Sequence, residues 1–106
     1  MILPAPVQNY FNANAKLDLD AMVAPFARDA IAHDEGRRHE GRDAIRAWIR
    51  QSTIAVSAVA VPQAIVSHGA THEVTAEVSG SFPGSPVTLG FRFALDGDCI
   101  AELAIK

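Results

Sequence analysis

Cysteine is almost missing from this chain. Cys99 stands alone, so no disulfide can close within the molecule, and a reducing, cytoplasmic setting is the expectation. Aromatic residues are scarce as well: they make up 7% of the chain and include a single Trp and a single Tyr. A strong charge of either sign is also absent. The net charge of −3 offers no field for nucleic acid or for an anionic membrane surface. No apolar run approaches the length that crosses a bilayer. The opening MILPAPVQ has neither the basic segment nor the apolar stretch of a secretion signal. No repeat and no low-complexity linker divides the chain, so residues 1–106 are expected to form one domain around one core.

What is present is ordered patterning. From Pro4 to Lys16, Val7, Tyr10, Phe11, Asn14 and Leu17 fall on a single helical stripe, with proline suited to the first turn. Asp18 is a natural N-cap for a short second helix, Leu19 to Ala24, which Pro25 ends. A strand follows over Ala30 to Asp34, then a polar turn, 35–41. A third helix, about Asp43 to Ser52, turns Ile45, Trp48 and Ile49 inward, while Arg42, Arg46 and Arg50 recur on its wet face.

Beyond Thr53 the texture changes to β-branched residues with period-two alternation. Four strands are expected, at roughly 56–67, 71–81, 86–95 and 99–105, joined by tight turns that contain Gly69, Gly84 and Gly97. Consecutive strands so joined form an antiparallel meander. The fold class is therefore α+β: three helices in the N-terminal half cover the concave face of a curved, mostly antiparallel sheet. Val74, Ala76 and Val78 share one face, as do Val87, Leu89, Phe91, Phe93 and Leu95. The last strand offers apolar residues to both faces, and residues 54–66 are rich in Ala, Val and Ile on both parities. Such a surface calls for a cover, and a homodimer, sheet against sheet, would provide it.

The short strand carries the functional signal. Ala30, Ala32 and Asp34 alternate on one face, with Ile31 and His33 on the other. Small side chains leading to a carboxylate fill a core poorly, but they leave room for a ligand beside an acid. Asp34 in an apolar wall would have its pKa raised by desolvation toward a working pH. The competing structural role is a cap for the Glu35-Gly36 turn or a pair with Arg37.

The order of elements, the residues DAIAHDEGRRHEGRDAIRAW and the closing GFRFALDGDCIAELAIK resemble the nuclear transport factor 2-like superfamily, in its ketosteroid isomerase and SnoaL-like polyketide cyclase branch. The resemblance spans almost the whole chain and implies a cone-shaped α+β roll. It also implies a cofactor-independent acid–base chemistry, in which an Asp at the end of the first strand moves a proton beside a carbonyl and a Tyr on the first helix holds the oxygen. Asp34 and Tyr10 occupy those two places. A second oxygen-holding acid would fall just before GFRF, where this chain has Leu89.

Two functions remain open at this point: an isomerase or cyclase acting on a small, mostly apolar carbonyl compound, and a non-catalytic ligand-binding or dimerisation module. The expected cavity wall comprises Tyr10, Ala32, Asp34, Trp48, Val78, Leu89 and Phe91. Glu102 points outward by alternation, but the resemblance allows it a place in the pocket. No metal site is expected, because no two histidines have helical H-x₃-H placement and His68 and His72 flank a turn. Cys99 reads as an inert strand residue inside the fold.

Overall fold

The computed structural model describes all of residues 1–106. Helix α1 runs Ala5–Ala15 and α2 Leu19–Val23; strand β1 (Phe26–Asp34) forms a hairpin with β2 (Arg37–Glu40). Helix α3 (Arg42–Ile49) continues into a π-helical turn, Arg50–Ile54. Strands β3 (Val59–His68), β4 (Thr71–Ser79), β5 (Val87–Asp96) and β6 (Cys99–Ile105) complete one curled, open sheet in the order β2-β1-β6-β5-β4-β3. The β1–β6 pair is parallel and every other pair is antiparallel, so the sheet is mixed.

The helical stripe of α1 packs as its spacing requires, with Val7, Tyr10, Phe11 and Asn14 buried. Tyr10, Phe11, Phe26, Phe91 and Phe93 join α1, β1 and β5 in one aromatic cluster with ring centroids 5.3 to 6.5 Å apart. Most of these pairs meet edge to face, the arrangement the ring quadrupoles favour. Asp18 accepts from the Ala21 amide and caps α2 as the sequence predicts. Gly41 precedes α3 with φ of 88°, a conformation a side chain would strain. Its amide donates to the Ala30 carbonyl at 2.8 Å, tying the start of α3 to β1.

Several boundaries differ from the sequence reading, each for a physical reason. The polar stretch 35–41 is not simply a turn, because it contains β2. That strand escapes recognition because it lies at the sheet edge with three of its four residues exposed, and so shows no apolar alternation. The α-helical part of α3 ends at Ile49 rather than Ser52, and a π turn follows. There the Ser52 hydroxyl donates to the Trp48 carbonyl at 2.7 Å, serving an acceptor that a regular helix would give to an amide. Strand β1 begins at Phe26, four residues before the expected start, and its pairing with β6 shifts register between Phe26 and Ile31.

In β6 the register shifts opposite Ala94 and Leu95, so both Ile100 and Leu103 are fully buried and strict alternation fails. Cys99 is consequently exposed, not interior as expected. No helix is long and apolar enough to cross a membrane.

Candidate functional site

A cavity of about 570 Å³ opens between α1, the α3–π segment and the concave face of the sheet. That volume lies in the range of small-molecule sites. Six of the expected wall residues line it: Tyr10, Asp34, Trp48, Val78, Leu89 and Phe91. Two do not. Ala32 is wholly buried and contributes no surface to the cavity. Glu102 lies outside it, where its carboxylate meets the Nε2 atom of His33 at 2.6 Å, both side chains being about half exposed. Strand alternation places His33 and Asp34 on opposite faces, which explains why the His33–Glu102 pair and the cavity are separate.

Asp34 ends β1 just before the Glu35-Gly36 turn, and its carboxylate accepts a hydrogen bond from the Trp48 indole N–H at 3.1 Å. Trp48 thus does more than pack α3 against the sheet; it holds the acid in place. The His39 ring of β2 stacks on Trp48 with centroids 5.7 Å apart and planes 20° from parallel. The acid is therefore fixed by an indole that is itself stacked against His39. Burial raises the pKa of Asp34 above the usual carboxylate value, and the nearby Glu35 charge adds to this. The Trp48 hydrogen bond, the His39 ring and the Glu35 amide act in the opposite direction without cancelling it.

Because the folded chain holds the Asp34 proton more tightly than the unfolded chain, the sign of its effect on stability is fixed. The contribution is complete below the unfolded carboxylate pKa of about 4 and is lost as pH rises through the folded value. Urea titrations should therefore show a component of stability that falls as pH rises across that window and that Asp34→Asn removes. A component that rises there, or one unchanged in the variant, would contradict the burial of this acid.

Tyr10 is only 3% exposed, and its hydroxyl makes no hydrogen bond within the chain. It opens onto the cavity, close enough for the Asp34 charge, after burial itself, to push its pKa further up; Tyr10 stays protonated and can donate. Four residues along the same helical face, Asn14 also borders the cavity. Its amide donates to the Ala58 carbonyl at 2.9 Å and accepts from the Ala60 amide at 2.7 Å, fastening α1 to the open edge of β3.

The sequence reading places Asn14 on the buried stripe but gives it no role. A lone amide within an apolar stripe was the available signal. Gln51, Ser52 and Thr53 of the π turn likewise line the wall without having been anticipated. At the far end Gly80 lets the chain close in: a Cβ there would lie 2.7 Å from the Val56 carbonyl oxygen. No group of three or more His, Cys, Asp or Glu side chains is arranged to hold a metal ion.

The sequence profile of the SnoaL-like domain matches residues 7–102. The chain belongs to the SnoaL-like family. Among solved structures, this SnoaL-like protein is similar to a proposed polyketide cyclase from Sinorhizobium meliloti, with 44% identity and a TM-score of 0.93 over 98% of this chain and 95% of that one. An epoxide hydrolase/cyclase-like enzyme of pyran ring formation in the polyether salinomycin shares the fold at 20% identity and a TM-score of 0.83, over 94% and 85% of the two chains. A ketosteroid isomerase-like protein from Catenulispora acidiphila, in complex with trimethylamine, does so at 19% identity and a TM-score of 0.84, over 99% and 86%. No curated protein matches the chain.

Proposed function

We propose that this SnoaL-like protein is a cofactor-independent acid–base enzyme of the isomerase or cyclase type, acting on a small, mostly apolar carbonyl compound. The observation that carries this reading is the convergence of a positioned carboxylate and a partnerless phenol on one cavity. Asp34 takes the proton from the carbon beside the carbonyl, and the Tyr10 hydroxyl donates to the oxygen as it gains negative charge. From a β,γ-unsaturated ketone the resulting dienolate regains the Asp34 proton at the γ-carbon, which is isomerisation. From a dicarbonyl compound the enolate carbon attacks the second carbonyl, whose oxygen takes that proton back, which is ring closure. Trp48 orients the base, while Val78, Leu89 and Phe91 exclude water from the reacting carbon. The similarity to the Sinorhizobium protein supports a cyclase direction.

Leu89 favours a second reading, a binder without turnover, since an apolar side chain stands where the resemblance implies a second oxygen-holding acid. Exchange separates the two. Bicyclic ketones incubated with the protein in deuterated buffer should gain deuterium at the α-carbon well above the buffer rate. Binding without exchange across the series would leave the binder reading.

We also propose that the chain forms a homodimer. Val61 and Val66 on the edge strand β3 are 59% and 55% exposed and lie opposite Glu77 and Glu73 on the face away from the cavity, apolar surface of the kind that marks an interface. Sedimentation at micromolar concentration should give a mass twice the 11.3 kDa of one chain. A mass of one chain would overturn this.

A further inference from the structure

The cavity wall is chemically lopsided. The charged residues on it are Asp34 and Glu35, and it carries no Lys, Arg or His. The remaining wall is mostly apolar, with Tyr10, Trp48, Phe82 and Phe91 supplying aromatic surface. His39, the nearest basic ring, lies against Trp48 and outside the lining. The basic residues of α3 are engaged elsewhere: Arg46 pairs with Asp20 at 2.6 Å, and Arg42 reaches carbonyls at the end of α2. Any anion that enters therefore meets like charge without a compensating cation, in surroundings that screen poorly.

A protonated amine meets the opposite situation. Asp34 offers a carboxylate held in place by Trp48, and the aromatic faces suit a cation. The second polar feature is independent of the acids. The Tyr10 hydroxyl, on a side chain only 3% exposed, has no partner in the chain and can accept from an ammonium as readily as it donates to a carbonyl.

From this asymmetry we infer that the cavity sorts ligands by charge: it admits neutral compounds and protonated hydrophobic amines and rejects carboxylates and phosphates of the same shape. An amine that fits would occupy Asp34 and compete with a carbonyl substrate. The inference concerns entry to the site and holds whether or not the bound molecule reacts.

Trp48 is the sole tryptophan and lies at the site, so its fluorescence reports occupancy directly. The probes are three saturated bicyclic compounds of one skeleton: 2-decalone, 2-aminodecalin and decalin-2-carboxylate, titrated into the full chain at pH 8 with calorimetry in parallel. The ketone and the amine are expected to bind, and the carboxylate to bind at least about tenfold more weakly than the ketone. Asp34→Asn should weaken the amine at least about tenfold relative to the ketone. A carboxylate within twofold of the ketone overturns the inference, as does an amine that fails to bind or whose affinity relative to the ketone is unchanged in Asp34→Asn. Loss of proton exchange with this ranking intact would count against the catalytic reading alone.

Discussion

Asp34→Asn is expected to lower α-proton exchange by at least about a thousandfold, the scale of a lost general base. The variant should remain folded and be as stable as the parent, or slightly more so, at neutral pH. Both outcomes follow from the same geometry. Asn keeps the shape of the side chain and an oxygen for the Trp48 indole N–H, now 3.1 Å from the carboxylate. It also removes a charge whose burial is unfavourable, as the upward shift of the Asp34 pKa indicates. What it cannot do is accept a proton from carbon. Tyr10→Phe provides the contrast, since it leaves the base intact and removes the one phenol facing the oxygen. A loss of about a hundredfold is expected, as for a single oxyanion donor. NMR-detected exchange measures both, and retention of full exchange by Asp34→Asn would place the base elsewhere.

Asn14→Leu is expected to cost about 3 kcal/mol of stability, because it strands two backbone groups. Strand β3 is an edge strand, and the Ala58 carbonyl and the Ala60 amide are served by the Asn14 side chain at 2.9 and 2.7 Å. Leucine matches the volume but offers neither donor nor acceptor, and it leaves both groups buried under α1. Asn14 is itself only 3% exposed, so water reaches the gap poorly. Chemical denaturation should show the full loss, whereas Gln8→Leu, which removes an exposed bond to Asn12 on the same helix, should change stability by less than about 0.5 kcal/mol. Equal effects from the two variants would mean that the Asn14 clamp contributes nothing beyond helix surface.

Features that depend on short spacing are legible along the chain. The stripe of α1, the Asp18 cap, the inward set Ile45, Trp48 and Ile49, and the alternation of Val74, Ala76 and Val78 all repeat with the period of their element, so neighbours a few residues apart suffice to reveal them. The candidate acid was legible for the same reason, since the alanines before Asp34 mark one strand face. Which residues meet depends on the folded chain.

The Asp34–Trp48 bond joins residues 14 apart, the Asn14 clamp reaches 44 and 46 residues ahead, and His33 finds Glu102 across 69. Which pairs form depends on the curl of the sheet and on register shifts such as those in β6, and neither leaves a periodic trace. That is why Glu102, allowed a place in the pocket by resemblance, lies outside it beside His33, and why Cys99, assigned to the interior, is exposed. Periodicity tells which way a side chain leans from its own backbone. Only the packing of distant segments sets what lies in front of it, because a one-residue shift in register re-aims every side chain beyond the shift.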